Sequence, residues 1–226
     1  MSRRRAGGPL VVVGDTLLDV DVVGSVGRVA PDAPVPVLDV TQERPRPGGA
    51  GLAAALAAGQ GRPVVLVTPL RDTGGDPDAA RLAALLDGVV ELVALPTDAP
   101  TTVKTRLVAD GHPLARVDRG TADGGGPRPG RARGPLPWTG GLTERVRRLL
   151  EGAGAVLVAD YGRGVSGLPA LRDLLTGVAA RVPVVWDPHP RGARPLPGAR
   201  LATPNASEAA TWAARLPDDG VVDGTD

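Results

Sequence analysis

The chain has 226 residues, 42% of them hydrophobic, with 26 basic and 25 acidic side chains and a net charge of +1. That length suits one large domain with a sizeable core, and the balanced charge gives no reason to expect a nucleic-acid or acidic-membrane partner. There is no cysteine and there are two histidines, His112 and His189, which excludes disulfides, thiolate metal sites and cysteine nucleophiles and argues against a multi-histidine metal site.

Residues 1–9 are basic and Gly-rich and are expected to be a disordered tail. The apolar run Leu10 to Val13 predicts a buried parallel strand, because it is short and β-branched and stops at Gly14-Asp15. It is too short for an export signal or a membrane span, so cytoplasmic residence is the plain reading. In Gly14-Asp15-Thr16-Leu17-Leu18-Asp19, two carboxylates lie where open α/β folds bind ligands, after a strand. They could accept hydrogen bonds from a polyol, or one of them could cap a turn or helix.

Residues 34–41 alternate apolar with other residues, and their prolines point to an edge strand. Pro47-Gly48-Gly49 then opens an Ala/Leu-rich run through Ala58 that predicts a helix. Glycines there leave free amides at the helix start and let a ligand approach the backbone, or they simply form a tight turn. Neither a dinucleotide fingerprint nor a Walker-type Gly-Lys-Ser/Thr occurs in the chain. A strand is expected at Val64–Thr68, a helix at Asp78–Leu86 and a strand at Val89–Ala94. Residues 102–109 and 114–118 flank Asp110-Gly111 and predict a hairpin. Lys104 and Arg106, two apart, share one face of its first strand, either to hold a phosphate or as a solvated face.

Residues 120–141 are rich in Gly, Pro and Arg and predict a flexible loop. Helix 142–151, strand 155–159, helix 168–180, strand 183–187, a short strand near 200–203 and helix 206–215 follow, then a loose tail at 216–226. Asp160 and Asp187 each follow a strand, so with Asp15 three acids are expected at one sheet edge, marking a polar cleft. Asn205 and Glu208 have capping-box spacing before the last helix. Ser166 lies in Gly164-Val165-Ser166-Gly167, which is not a nucleophile elbow. The alternation of strands and helices argues for a mostly parallel α/β sheet, with 34–41 and 102–118 forming a small separate one.

Taken in order, Val13 to Asp19, Gly27 to Val37, Pro47 to Ala50, Pro100 to Arg106, Ala159 to Gly164, Asp187-Pro188 and Thr203 to Glu208 resemble the ribokinase-like (phosphofructokinase B type) carbohydrate kinases, in particular the heptose 7-phosphate kinase domain of heptose synthesis. The resemblance covers residues 10–215. It implies a three-layer α/β fold with a mostly parallel sheet and a small β lid from residues near 21–41 and 101–118, through which a homodimer contact is implied. By resemblance, Asp19, Gly48, Gly49 and Asp160 hold sugar hydroxyls, and Lys104 and Arg106 suit a sugar phosphate. Asn205 and Glu208 face the phosphates of ATP and Mg2+, Glu208 through metal-bound water. The implied reaction is phosphoryl transfer from ATP to a sugar or sugar phosphate.

Three positions depart from the family. Leu52 stands for an asparagine, Arg163 for a lysine and His189 for a lysine of the subgroup. The family's Gly-Ala-Gly-Asp segment, with its anion hole and general-base aspartate, has no match in these 226 residues. A general base contributes about 10²–10⁴-fold and an anion hole about 10²–10³-fold. The chain is therefore expected to be incomplete at the C-terminus and to have little or no kinase activity by itself. The alternative is a non-catalytic pseudokinase that binds sugar phosphate.

Overall fold

A computed structural model describes residues 7–120 and 142–213. Six parallel strands form the main sheet in the order β10-β9-β8-β1-β4-β5. They are β1 (Leu10–Gly14), β4 (Val64–Leu70), β5 (Glu91–Pro96), β8 (Ala155–Ala159), β9 (Val184–Asp187) and β10 (Leu201–Ala202). The central strands are Val/Leu runs because both faces of a parallel sheet are covered. Val11 and Val13 enter one core with Val146 and Leu150 of α3 (Glu144–Glu151) and Leu171 and Leu175 of α4 (Pro169–Ala179). Val12 and Leu66 enter the other, with Ala54 of α1 (Ala50–Ala58) and Leu82 and Leu86 of α2 (Pro77–Leu86). The result is three layers, helix–sheet–helix, as expected.

A second sheet has the order β3-β2-β6-β7, from β2 (Thr16–Val29), β3 (Pro36–Gly49), β6 (Val103–Ala109) and β7 (His112–Arg119). Leu18, Val20 and Val103 bury its inner face in the core that holds α1 and α2. Strand β2 continues from β1 after the single residue Asp15, so the chain passes directly from the main sheet into the lid. The hairpin turn is at Asp110-Gly111, both with positive φ (50° and 83°), as a two-residue primed turn requires.

The lid strands reach further along the chain than the stretches 21–41 and 101–118. Residues 16–29 are one continuous strand, so Asp19 caps neither a turn nor a helix. Strand β3 runs through Pro45 and Pro47 up to Gly49. It tolerates them because it is the sheet edge and pairs only with β2. The final helix is α5 (Ala206–Ala213), and among the described residues no helix is long and apolar enough to cross a membrane. The loop expected at 120–141 lies, except for Gly120, outside the described residues, as do residues 1–6 of the N-terminal tail and the tail at 216–226.

Candidate functional site: acids at the sheet edge and on the lid

Asp15, Asp160 and Asp187 stand at the carboxyl ends of β1, β8 and β9, which are adjacent in the sheet. The two nearest the centre are tied to the chain itself. Asp15 is 1% exposed and accepts backbone N–H groups from Tyr161 (3.3 Å), Arg163 (2.9 Å) and Val165 (3.4 Å). Burial pushes its carboxyl up from 3.8 to about 6, against the amides that favour the anion, and the charge of Asp160 adds to the rise. Asp160 is 2% exposed; it accepts the Gly162 N–H at 2.7 Å, the Ser166 hydroxyl and the Ala193 N–H at 3.1 Å. Both oxygens of Asp160 are thus engaged within the protein, and they pin the segments 161–167 and 192–193 together.

The glycine pair ends β3 beside these acids. Gly49 has φ 61° and ψ −135°, a conformation essentially reserved for glycine, and a Cβ there would lie 2.4 Å from the Asp15 carbonyl oxygen. That carbonyl also accepts the Ala50 N–H at 3.1 Å, at the first turn of α1. A Cβ on Gly48 would lie 2.6 Å from Oδ2 of Asp19. The backbone therefore runs flush against the Asp19 carboxylate. Tyr161, the chain's single tyrosine, is 36% exposed with its ring edge against Gly49. Burial raises its phenol above 10, followed by the charges of Asp187, Asp19 and Glu208.

On the lid, Asp19 is paired on both oxygens: Oδ1 with Arg106 at 2.8 Å and Oδ2 with Arg46 at 3.2 Å. Lys104 faces Asp118 at 3.6 Å. The structure thus brings Asp19, Gly48 and Arg106 into one constellation, with Gly49 adjoining and Lys104 on the neighbouring position of the same lid face. Arg46 and Asp21 belong to it and were not singled out in the sequence. Their signal was available only through register, since β2 pairs with β3 so that Asp19 opposes Arg46.

Before α5, Asn205 and Glu208 close the capping box their spacing suggested. Oδ1 of Asn205 accepts the Glu208 N–H at 3.0 Å, and Oε2 of Glu208 accepts the Asn205 N–H at 2.8 Å. Asp187 accepts the Thr203 hydroxyl at 3.1 Å. Its carboxyl is raised above 3.8 by burial, against the Thr203 bond, and the charges of Glu208 and Asp160 add to the rise. Among the described residues no group of three metal-ligating side chains converges for direct chelation. Nδ1 of His189 accepts the Arg191 N–H at 3.1 Å, and burial first, then Arg191, lowers its pKa below 6.5. Leu52, on α1, is half-buried.

No family model matches the chain. The chain is 49% identical over 201 residues to the bifunctional protein HldE of Streptomyces coelicolor, spanning 89% of this chain and 38% of that one. It is 36% identical over 216 residues to the bifunctional protein HldE of Azorhizobium caulinodans, spanning 93% and 42%. The chain thus spans about two fifths of the length of these curated relatives. Among solved structures, Arabidopsis thaliana ribokinase complexed with ribose and ATP superposes with a TM-score of 0.59 at 19% identity, over 95% of this chain and 65% of that one. Phosphofructokinase-2 from Escherichia coli in complex with substrates and products gives 0.55 at 16% identity, over 93% and 66%. The chain belongs to the ribokinase-like, phosphofructokinase B type carbohydrate kinase family.

Proposed function

We propose that these residues form the sugar side of an ATP-dependent kinase that phosphorylates a hydroxyl of a heptose 7-phosphate-like sugar. The observation that carries this reading is the fit of Gly48 against Asp19. A buried carboxylate beside a bare stretch of backbone offers oxygens and carbonyls to a polyol at close range, and the adjoining amides at the start of α1 add donors. Asp19, Gly48 and Gly49 hold sugar hydroxyls, while Lys104 and Arg106 meet the sugar's phosphate. Asp160, with both oxygens engaged, acts on the sugar by holding the segment 161–167 against Gly49. Asn205, Glu208 and Asp187 line the nucleotide end, where Glu208 and Asp187 suit a hydrated Mg2+. Mg-ATP, when bound, supplies the phosphoryl group, and the residues here orient the acceptor and exclude water.

The family's Gly-Ala-Gly-Asp segment has no match in these 226 residues. A second reading, sugar-phosphate binding without turnover, is favoured by Leu52, which puts an apolar side chain where the family resemblance calls for asparagine. The exposed apolar side chains Val29, Val35, Val40, Leu114 and Val117 on and around the lid suit a homodimer contact. The test is ADP release by the purified chain with Mg-ATP and a panel of sugars and sugar phosphates, alongside calorimetric binding of the same panel. Binding that disappears in Asp19→Ala supports the sugar site, and release in addition identifies a kinase. A folded chain that binds no member of the panel overturns the proposal.

A further inference from the structure

The two arginines on Asp19 have a consequence for which sugars can enter. Strand β2 puts Asp19 and Asp21 on the lid face opposite the core. Across the register Asp19 opposes Arg46 and Lys104, and Asp21 opposes Arg44 and Arg106. The charges close into a quartet. Arg106 Nη1 lies 2.8 Å from Asp19 and 3.7 Å from Asp21, while Arg46 lies 3.2 Å from Asp19 through Nη1 and 3.5 Å from Asp21 through Nε. The Asp19 side chain is 8% exposed, but those of Arg46 and Arg106 are 40% and 37% exposed. The carboxylate is therefore covered by guanidiniums that still reach solvent.

A neutral polyol that donates hydrogen bonds to Asp19 must loosen these pairs and gives the guanidiniums no charge in return. A phosphate ester does give one, and two of its oxygens can meet the planar fork of a guanidinium. Discrimination of this kind works partly through the penalty on the wrong ligand. We propose that Arg46, together with Arg106, selects phosphorylated over neutral sugars by exchanging its pairing with Asp19 for the substrate's phosphate. This rests on the sugar-binding reading above and adds Arg46 as its specificity determinant. Lys104, paired with Asp118, stands beside the quartet as a further cation for the same phosphate.

The test is calorimetric titration of the 226-residue chain and its Arg46→Gln and Arg46→Lys variants with heptose 7-phosphate and with the same heptose lacking phosphate. In the wild type the ester binds about tenfold or more tighter than the neutral sugar. In Arg46→Gln the ester loses about tenfold while the neutral heptose binds at least as tightly as before, because Asp19 has lost one competitor. Arg46→Lys falls between, since an ammonium keeps the charge but not the fork. Equal losses of both ligands in both variants indicate a merely structural arginine and overturn the proposal, as does an unchanged ester affinity. A wild type that binds both ligands equally sinks this inference alone. One that binds neither sinks the sugar-binding reading with it.

Discussion

Asp15 and Arg163 are 148 residues apart, and the carboxylate of the first holds the backbone N–H of the second at 2.9 Å. With the Tyr161 and Val165 amides on the same carboxyl group, the end of β1 sets the path of the segment that follows β8. Asp15 thus links the main sheet, the lid and the cleft wall. Its ionisation should be visible in stability. In the unfolded chain the group titrates near 3.8 and in the fold near 6, so the fold binds its proton more tightly. The stabilisation from that proton is full below pH 3.8, declines as pH rises, and is gone above about 6. Its size is about 3 kcal/mol for a group buried this deeply. Urea unfolding at pH 4 and pH 7 should show Asp15→Asn gaining on the wild type by about that amount between the two. Parallel profiles would mean that Asp15 is not the titrating group.

Gly48→Ala tests the bare backbone. The new methyl would meet Cδ1 of Leu17 at 2.4 Å and Oδ2 of Asp19 at 2.6 Å. Leu17 is 3% exposed and cannot swing away freely. Overpacking of this kind costs about 1–3 kcal/mol. Any relief also pushes the Asp19 carboxylate off its arginines. A lowered melting temperature with sugar-phosphate binding weakened about tenfold or more is expected, read by thermal melting and calorimetry. Undiminished sugar binding would show that the glycine serves only the packing of β3 against β2.

Much of the architecture was legible. Val-rich runs ending in Gly or Asp marked the parallel strands, because burial on both faces removes the need for alternation. Asp110-Gly111 marked its hairpin because a primed turn needs two positive φ angles. The long strands β2 and β3 were less legible: prolines at 45 and 47 imitate a turn unless the strand is known to be an edge. Arg46 was invisible for the same reason. Its importance comes from facing Asp19 across a register that no local pattern displays. Asp15 and Asp160 illustrate the reverse. Their position after a strand placed them at one sheet edge, but the amides and hydroxyls converging on each come from loops distant in sequence, 146 and 148 residues on for Tyr161 and Arg163 at Asp15.

Ser166→Ala isolates the Asp160 knot. Ser166 is fully buried, and its hydroxyl donates to Oδ2 of Asp160, which also takes the Ala193 N–H. A hydrogen bond to a charged, buried partner contributes about 1.5–3 kcal/mol. The segment turns through positive φ at Gly162 and Gly164 and keeps its amide bonds to Asp15 when the hydroxyl is removed, so the loss should loosen it rather than release it. Destabilisation in that range, with amide exchange accelerating first at residues 161–167, is expected. A uniform acceleration across the whole fold would instead assign Ser166 to the global core.

Glu208 has two separable roles, one in the helix cap and one in charge. Its Oε2 accepts the Asn205 N–H, which any amide oxygen could do, so Glu208→Gln keeps the box and Glu208→Ala breaks it. Only Glu208→Ala should loosen α5, by about 1 kcal/mol. Both should relieve Asp187, whose carboxyl is raised in part by the Glu208 charge. NMR titration of the Asp187 carboxyl should therefore show its pKa falling toward 3.8 in either variant. Binding of Mg-ATP then distinguishes the roles. If the glutamate charge helps to hold a hydrated cation, Gln should weaken Mg-ATP by about tenfold while leaving metal-free ATP unchanged. If only the cap matters, Gln should bind Mg-ATP like the wild type, and Ala alone should be impaired.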